Sequence, residues 1–433
     1  MFKKILTMTV LSLLVMSVSF TQDIKKTGGL ARLSAMGANP YIIDPFFNTV
    51  NVAWNGVYNN FILADLGTSA SAPFGAGGFG QYVSASFSAK RWTFGGILAR
   101  NDFPGMGVAL LDPGANSTLS MPFSGVVQIV NSLRPGVIAV TALDNNVVLM
   151  ATYKLQNTII GLGIAYASTT NEAATPAIGT TRARTTEGSA SQIGFNLGII
   201  SDISRNIKLD VATTFLLPSA SYNTTDTLDT ETKASQTFIG INARAFWRVN
   251  PNLRFVPIFT FLTVSGTVDS GFSFGSADFP SLTSFAFGGG LNYKIGDFLL
   301  AGGVLFASNS YTIPATGDTT TGTPELSNSA TVFPIWNLGV EWQLLDWLVG
   351  RLGYVSVTGS STTQTSATSS SVNEFIATFF GPTQRGLTLG VGFRFGDFSL
   401  DATINEDVLR QGFNIVGGGG PTFFLLTSSY AIP

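Results

Sequence analysis

Asp210, Glu341 and Asp401 are the carboxylates of this chain best placed to move protons, yet they are scattered along the sequence and form no paired motif. Hydrolysis by carboxylates alone needs two such groups held a few ångströms apart. The chain has no His and no Cys. It therefore lacks a Ser-His or Cys-His nucleophile pair, and it lacks the usual zinc ligands. Neither a disulfide nor a lipid-modified cysteine is available. The run Gly417 to Gly420 is followed by no Lys-Ser/Thr and opens no helix, so it reads as a flexible loop rather than a phosphate cradle. These residues predict a protein that is not an enzyme and needs no cofactor or metal.

Basic residues offer more. Lys154, Lys208, Arg244, Arg248, Arg254, Lys294, Arg351 and Arg394 fall on the same strand parity as the three carboxylates, and most stand near short turns. One reading is an electropositive constriction that favours anionic or amphiphilic solutes. The other is a network of ion pairs and hydrogen bonds that holds a wall and its contents together. Nucleic acid is excluded as a partner, because the net charge is -2 and no concentrated basic surface is present.

Those side chains need strands to position them. In the stretch from Phe333 to Thr358, Trp336, Leu338, Val340, Trp342 and Leu344 share one parity, while Asn337, Gly339, Glu341 and Gln343 share the other. That period of two marks a strand with one apolar and one polar face. The chain turns at Leu345-Asp346 and returns with Leu348, Leu352 and Tyr354 opposite Arg351 and Gly353. Equal distance from the turn makes Glu341 and Arg351 candidate cross-strand partners. Charged residues make up only 11% of the chain, against roughly 25% in soluble domains. Together these predict an all-β fold, a transmembrane antiparallel up-and-down β-barrel of about 14–16 strands with a short N-terminal plug.

The alternation recurs in segments near 60–68, 80–89, 91–100, 146–155, 158–169, 190–201, 206–217, 236–249, 252–264, 284–295, 297–308, 331–344, 346–358, 385–395, 397–404 and 422–432. Tight connections such as Lys90-Arg91, Gly296-Asp297 and Gly396-Asp397 alternate with long Ser/Thr-rich ones such as Asn309 to Ala330 and Gly359 to Gln384. Outer-membrane barrels sort their connections in this way, and a soluble sandwich has no reason to. Trp92, Tyr153, Trp247, Tyr293, Trp342 and Trp347 lie beside the short turns, and Tyr166, Phe215, Phe261, Phe306 and Tyr354 are expected toward the other strand ends, as two aromatic girdles. Small inward residues, Gly161, Gly163, Ala165, Ala167, Ala286, Gly288, Gly290, Gly390 and Gly392, leave room for a water channel or for a plug.

Residues 1–21 read as a signal peptide, residues 22–59 as a plug or hatch, and residues 60–433 as the barrel, with 101–145 a long, partly helical external insertion folded over or into the pore. The expected place is the bacterial cell outer membrane. Outer-membrane lipid and the barrel-assembly machinery are the expected partners, although the final strand ends in Ile432-Pro433 where a terminal Phe is usual.

The segment Ala31-Arg32-Leu33-Ser34-Ala35-Met36-Gly37-Ala38, followed by Asp44, Asn48 and Trp54-Asn55-Gly56, resembles the N-terminal signature of the long-chain fatty-acid and aromatic-hydrocarbon transporter family and related barrels of Bacteroidetes-type bacteria. Asn55-Gly56 stands where the family has Asn-Pro. The resemblance implies a hatch inside the barrel, with Arg32, Met36, Gly37, Asp44 and Asn55 as its residues. It also implies an external apolar landing site at Phe103, Met106, Leu110 and Leu111, and uptake of a small hydrophobic or amphiphilic solute. A passive diffusion porin and a protein-docking or adhesion barrel are the alternatives.

Overall fold

The computed structural model describes residues 27–67, 82–99, 126, 130–131, 146–175, 184–225, 230–269, 276–278, 280–314, 325–365, 387–404 and 423–433. The strands in order are β1 Phe61–Gly67, β2 Tyr82–Ala89, β3 Trp92–Ala99, β4 Asn146–Lys154, β5 Thr158–Thr175, β6 Arg184–Ser204, β7 Ile207–Thr225 and β8 Thr230–Arg248. They continue as β9 Leu253–Asp269, β10 Ser281–Ile295, β11 Phe298–Ile313, β12 Leu326–Leu345, β13 Leu348–Thr365, β14 Leu387–Phe395, β15 Phe398–Ile404 and β16 Phe423–Ala431. Each pairs antiparallel with its neighbour in sequence, and Ser276–Asp278 adds a short piece beside the far end of β9. β1 pairs with β16 from Phe61↔Ala431 to Gly67↔Leu425, which closes the sheet into an up-and-down barrel of sixteen strands. From the tight turns up to the level of Tyr166 and Tyr354 every described strand is paired on both sides, the condition a sheet must meet to stand in hydrocarbon; beyond that level β5 and β13 each have one edge without a described partner.

The faces follow the predicted parity. Trp336, Leu338 and Trp342 are each about 44% exposed, whereas Asn337 between them is 2% exposed. All tight turns and both ends of the barrel chain fall on one rim, and the long connections fall on the other. Trp92, Trp247, Trp342 and Trp347 are exposed beside the tight turns, with Trp92 stacked on Phe94 and Trp342 on Phe298.

At the long-connection rim, strands expected to stop near residues 169, 190 and 217 run on to Thr175, Arg184 and Thr225. β5 to β9 each have 17 to 21 residues. Tyr166 and Phe215 therefore stand midway along their strands rather than at the ends. The added length is Ser- and Thr-rich, a composition that reads as loop, but β-branched Thr suits a pleated sheet and hydroxyls can bond across strands. Ser168, Ser191, Ser219, Ser235 and Thr267 form one register row across β5–β9. Within it Ser191 and Ser219 are 3.0 Å apart.

Behind that row the inner face is lined by Ala190, Ala220, Ala234 and Val268, again in register. Val126 and Val130, helical residues of the 101–145 insertion, pack fully buried against this patch, Ala167 and Tyr222. The insertion thus enters the barrel at least there. Phe103, Met106, Leu110 and Leu111 lie outside the described residues.

Candidate functional site

Residues 28–61 line the lumen and make one circuit of it, meeting the strands from β16 and β13 round to β1. The helix α1 (Leu30–Ala35) lies on β13–β16. At its start the Leu30 N–H donates to Asp65 Oδ2 (3.1 Å) and the Ala31 N–H to Thr427 Oγ1 (3.0 Å). Thr403 and Thr388 hydroxyls donate to the carbonyls of Ala31 (2.8 Å) and Ala35 (3.1 Å). Asn337 of β12 then donates to Gly37 O (2.9 Å), Asn39 to Ala301 O of β11 (2.9 Å), and Asn292 of β10 to Tyr41 O (2.7 Å). Further on, Asn196 of β6 holds Val50 O (2.9 Å) and accepts from the Val52 N–H (3.2 Å). Ser86 of β2 donates to Tyr58 O (2.5 Å), just before the chain enters β1.

This backbone lies so close to the wall that side chains are excluded at the contact. A Cβ on Gly353 would stand 2.1 Å from Gly37 N, and one on Gly161 would stand 2.7 Å from Ala53 N. The room left by the small inward residues is taken up here: Val52 sits over Gly163, the Tyr41 ring over Gly290, and Ala35 over Gly390.

Two polar clusters tie the segment to charged wall residues. In the first, Arg32 reaches Glu341 through Nε (2.7 Å) and Nη2 (3.2 Å), and Asp44 through Nη1 (3.0 Å). Glu341 is also paired with Arg351 (2.8 Å), Arg351 with Asp401 (2.7 Å), and Asp401 with Arg394 (2.8 Å). Three arginines and three carboxylates thus alternate in a neutral chain from the segment into β12–β15. Burial works against the charge on Arg32, but Glu341 and Asp44 more than offset it and hold its pKa above the ordinary value. Burial pushes the Asp44 carboxyl up to about 6, against the pull of Arg32. In the second cluster, Asp210 of β7 accepts from Asn51 Nδ2 (2.6 Å), Trp54 Nε1 (3.0 Å) and Arg244 Nε (3.0 Å). Arg244 also donates to Pro40 O (2.9 Å) and lies over the Phe47 ring, 3.6 Å from its centre.

The predicted lumen residues therefore separate by height. Asp210, Arg244, Glu341 and Arg351 are brought together around residues 28–61, and Arg394 joins through Asp401. Lys208 pairs with Asp202 (2.7 Å) nearer the tight turns. Lys154 and Lys294 are exposed at that rim, and Arg254 stands across from Arg248 in register there. Arg32, Met36, Gly37, Asp44 and Asn55 are all in the circuit; Met36, Asp44 and Asn55 are completely buried. Asp65, Asn196, Asn292, Thr388, Thr403 and Thr427 escape sequence reasoning. For all but the acidic Asp65 the signal is faint: a neutral polar residue on inward parity where Ser, Thr and Gly are common. Among the described residues, no group of His, Cys, Asp and Glu could hold a metal ion.

The class of protein defined by this geometry is a closed sixteen-strand barrel whose lumen is occupied by its own N-terminal segment. Compared by sequence, the chain matches no protein-family profile and no curated protein. Compared by structure, it is similar to the FrpB iron transporter of Neisseria meningitidis at 10% identity and TM-score 0.37, over 81% of this chain and 62% of that one. It is similar to the Pseudomonas putida toluene transporter TodX at 10% identity and TM-score 0.34, over 94% and 97%. A third is the Ralstonia pickettii toluene transporter TbuX, at 13% identity and TM-score 0.34, over 79% and 97%. The chain spans less than two thirds of the length of the iron transporter. At such low overlap, function has to be read from the barrel's own geometry.

Proposed function

We propose that this protein is an outer-membrane barrel that takes up small hydrophobic or amphiphilic molecules through a plugged lumen, with residues 28–61 as the plug. The observation that carries the reading is the character of the wall between the plug and the Val126–Val130 contact. There Leu216, Phe238, Val264 and Leu282 form one inward row across β7–β10, and Leu262 lies just below it on β9. A water-filled porin has a polar lumen; an apolar wall of this kind suits a solute that carries little water with it. The exterior supports the membrane setting, since Leu98, Leu149, Leu162 and Phe195 face outward on adjacent strands. The neutral Arg–carboxylate chain favours the structural reading of the inward charges over an anion-selective constriction.

Proteoliposomes provide the test. Uptake of a fluorescent alkyl fatty-acid analogue above that of protein-free vesicles, without swelling in isotonic arabinose, is the expected result. Swelling without uptake of the analogue would identify a passive porin instead.

A further inference from the structure

The inward charges fall into two sets. Those level with residues 28–61 are balanced: three arginines alternate with three carboxylates from Arg32 to Arg394, Arg244 is held by Asp210, and Lys208 just below them by Asp202. Nearer the tight turns that balance ends. Lys154 of β4, Arg248 of β8, Arg254 of β9 and Lys294 of β10 share the parity of the buried Thr152, Phe246, Val256 and Asn292, so all four belong to the lumen side of the wall. Among the described residues, the tight-turn halves of these strands carry no carboxylate. Arg248 and Arg254 also stand directly opposite each other in register, where like charges repel and a nearby anion relieves the repulsion.

The other arc of this mouth has the opposite sign. Asp297, Asp346 and Asp397 stand exposed in the turns that join β10 to β11, β12 to β13 and β14 to β15. Just above the cations the lumen is filled, since Trp54 of the N-terminal segment packs edge-on against Phe246 (6.4 Å between centres) and Asn292 holds Tyr41 O. A group that meets the cations therefore arrives from the periplasmic side. Lipid is the poorer match, because its headgroups surround the barrel beside Trp92 and Trp247, where the turns carry Lys90, Arg91 and Arg205.

We infer that this mouth docks the acidic face of a soluble periplasmic protein, with Lys154, Arg248, Arg254 and Lys294 as the cationic contacts and the Asp-bearing turns setting which way round the partner sits. The use of the dock rests on the transport reading: a solute that carries little water needs cover on leaving the barrel, and a docked carrier supplies it. The dock itself does not rest on that reading.

Fluorescence anisotropy of a labelled octaglutamate peptide, with the full-length barrel in uncharged detergent micelles, tests it. Octaglutamate is expected to bind about 10-fold or more tighter than octalysine, and to weaken as salt is raised. Lys294→Glu, a change at an exposed side chain, should weaken binding about 3-fold or more without touching the fold. The quadruple variant Lys154→Gln/Arg248→Gln/Arg254→Gln/Lys294→Gln should abolish it, whereas Lys90→Gln/Arg91→Gln/Arg205→Gln should change it less than about 2-fold. Octalysine bound as tightly as octaglutamate, or equal losses in the two neutralised variants, would overturn docking at the mouth. Uptake of the fatty-acid analogue by proteoliposomes without peptide binding would overturn the dock alone. Peptide binding without uptake would sink the transport reading and leave the dock standing.

Discussion

Arg32 carries one positive charge between two carboxylates, of which Asp44 is fully buried and has no water as a substitute partner. Arg32→Ala should leave Asp44 without a cation, at a cost of about 3–5 kcal/mol, as breaking a buried pair does. The check is the urea midpoint at which the folded, heat-modifiable form is lost; Arg32→Lys, which keeps the charge without the fork, should fall between. Asp44 itself gives a pH dependence of definite sign. Its carboxyl sits at about 6 when buried, against 3.8 when free, so between those values the seated segment holds a proton that the unfolded chain releases. Seating of the segment therefore gains that contribution in full below about pH 4 and loses it as the pH rises to about 6. The groups acting on it are Arg32 and, more weakly, Asp401. Amide hydrogen exchange at 42–49, corrected for intrinsic rates, should quicken across that window, and Asp44→Asn should abolish the change. The Glu341–Arg351 pair was legible from parity and distance to the turn. Arg32 as the second cation on Glu341 was not, because nothing local links positions 309 residues apart. The amides of Asn196, Asn292 and Asn337 were equally silent, since a neutral polar side chain on inward parity reads as ordinary lumen lining.

At the scale of elements, each of the sixteen segments marked by alternation contains a strand, because an apolar outer face imposes a strict period of two wherever the wall meets lipid. Above the apolar band that constraint ends. The far halves of β5–β8 carry hydroxyls outward, so sequence shows polarity but not pairing, and strands pass for loops. Replacing Ser219 to Lys233 with a tight turn should accordingly leave the barrel closed, since the pairs from Ile207↔Trp247 to Leu216↔Phe238 remain. It should free the insertion, because Val126 and Val130 would lose Ala220 and Tyr222. Heat-modifiable migration on gels reads the first outcome, and faster amide exchange around Val126–Val130 reads the second.

For the whole molecule, the circuit of residues 28–61 acts on the wall as much as the wall acts on it. Deleting 28–59 should raise single-channel conductance and also lower the urea midpoint, because Asp210, Arg244, Glu341 and Asn196 would all lose buried partners. A plug that merely obstructs would open without that loss of stability, so a conducting deletion variant with an unchanged midpoint would count against the mutual support described here. The order of the circuit also bears on when the molecule is finished. Its first helix meets the last four strands, so the part of the chain made earliest has nowhere to settle until the part made latest is in place. Asp65 sits where these events meet: it faces Thr427 across the seam between the first and last strands, accepts from that hydroxyl (3.0 Å), and accepts from the Leu30 N–H that begins the helix. Sealing the cylinder and seating the helix thus draw on the same carboxylate, which makes the occupied lumen a mark of completed assembly.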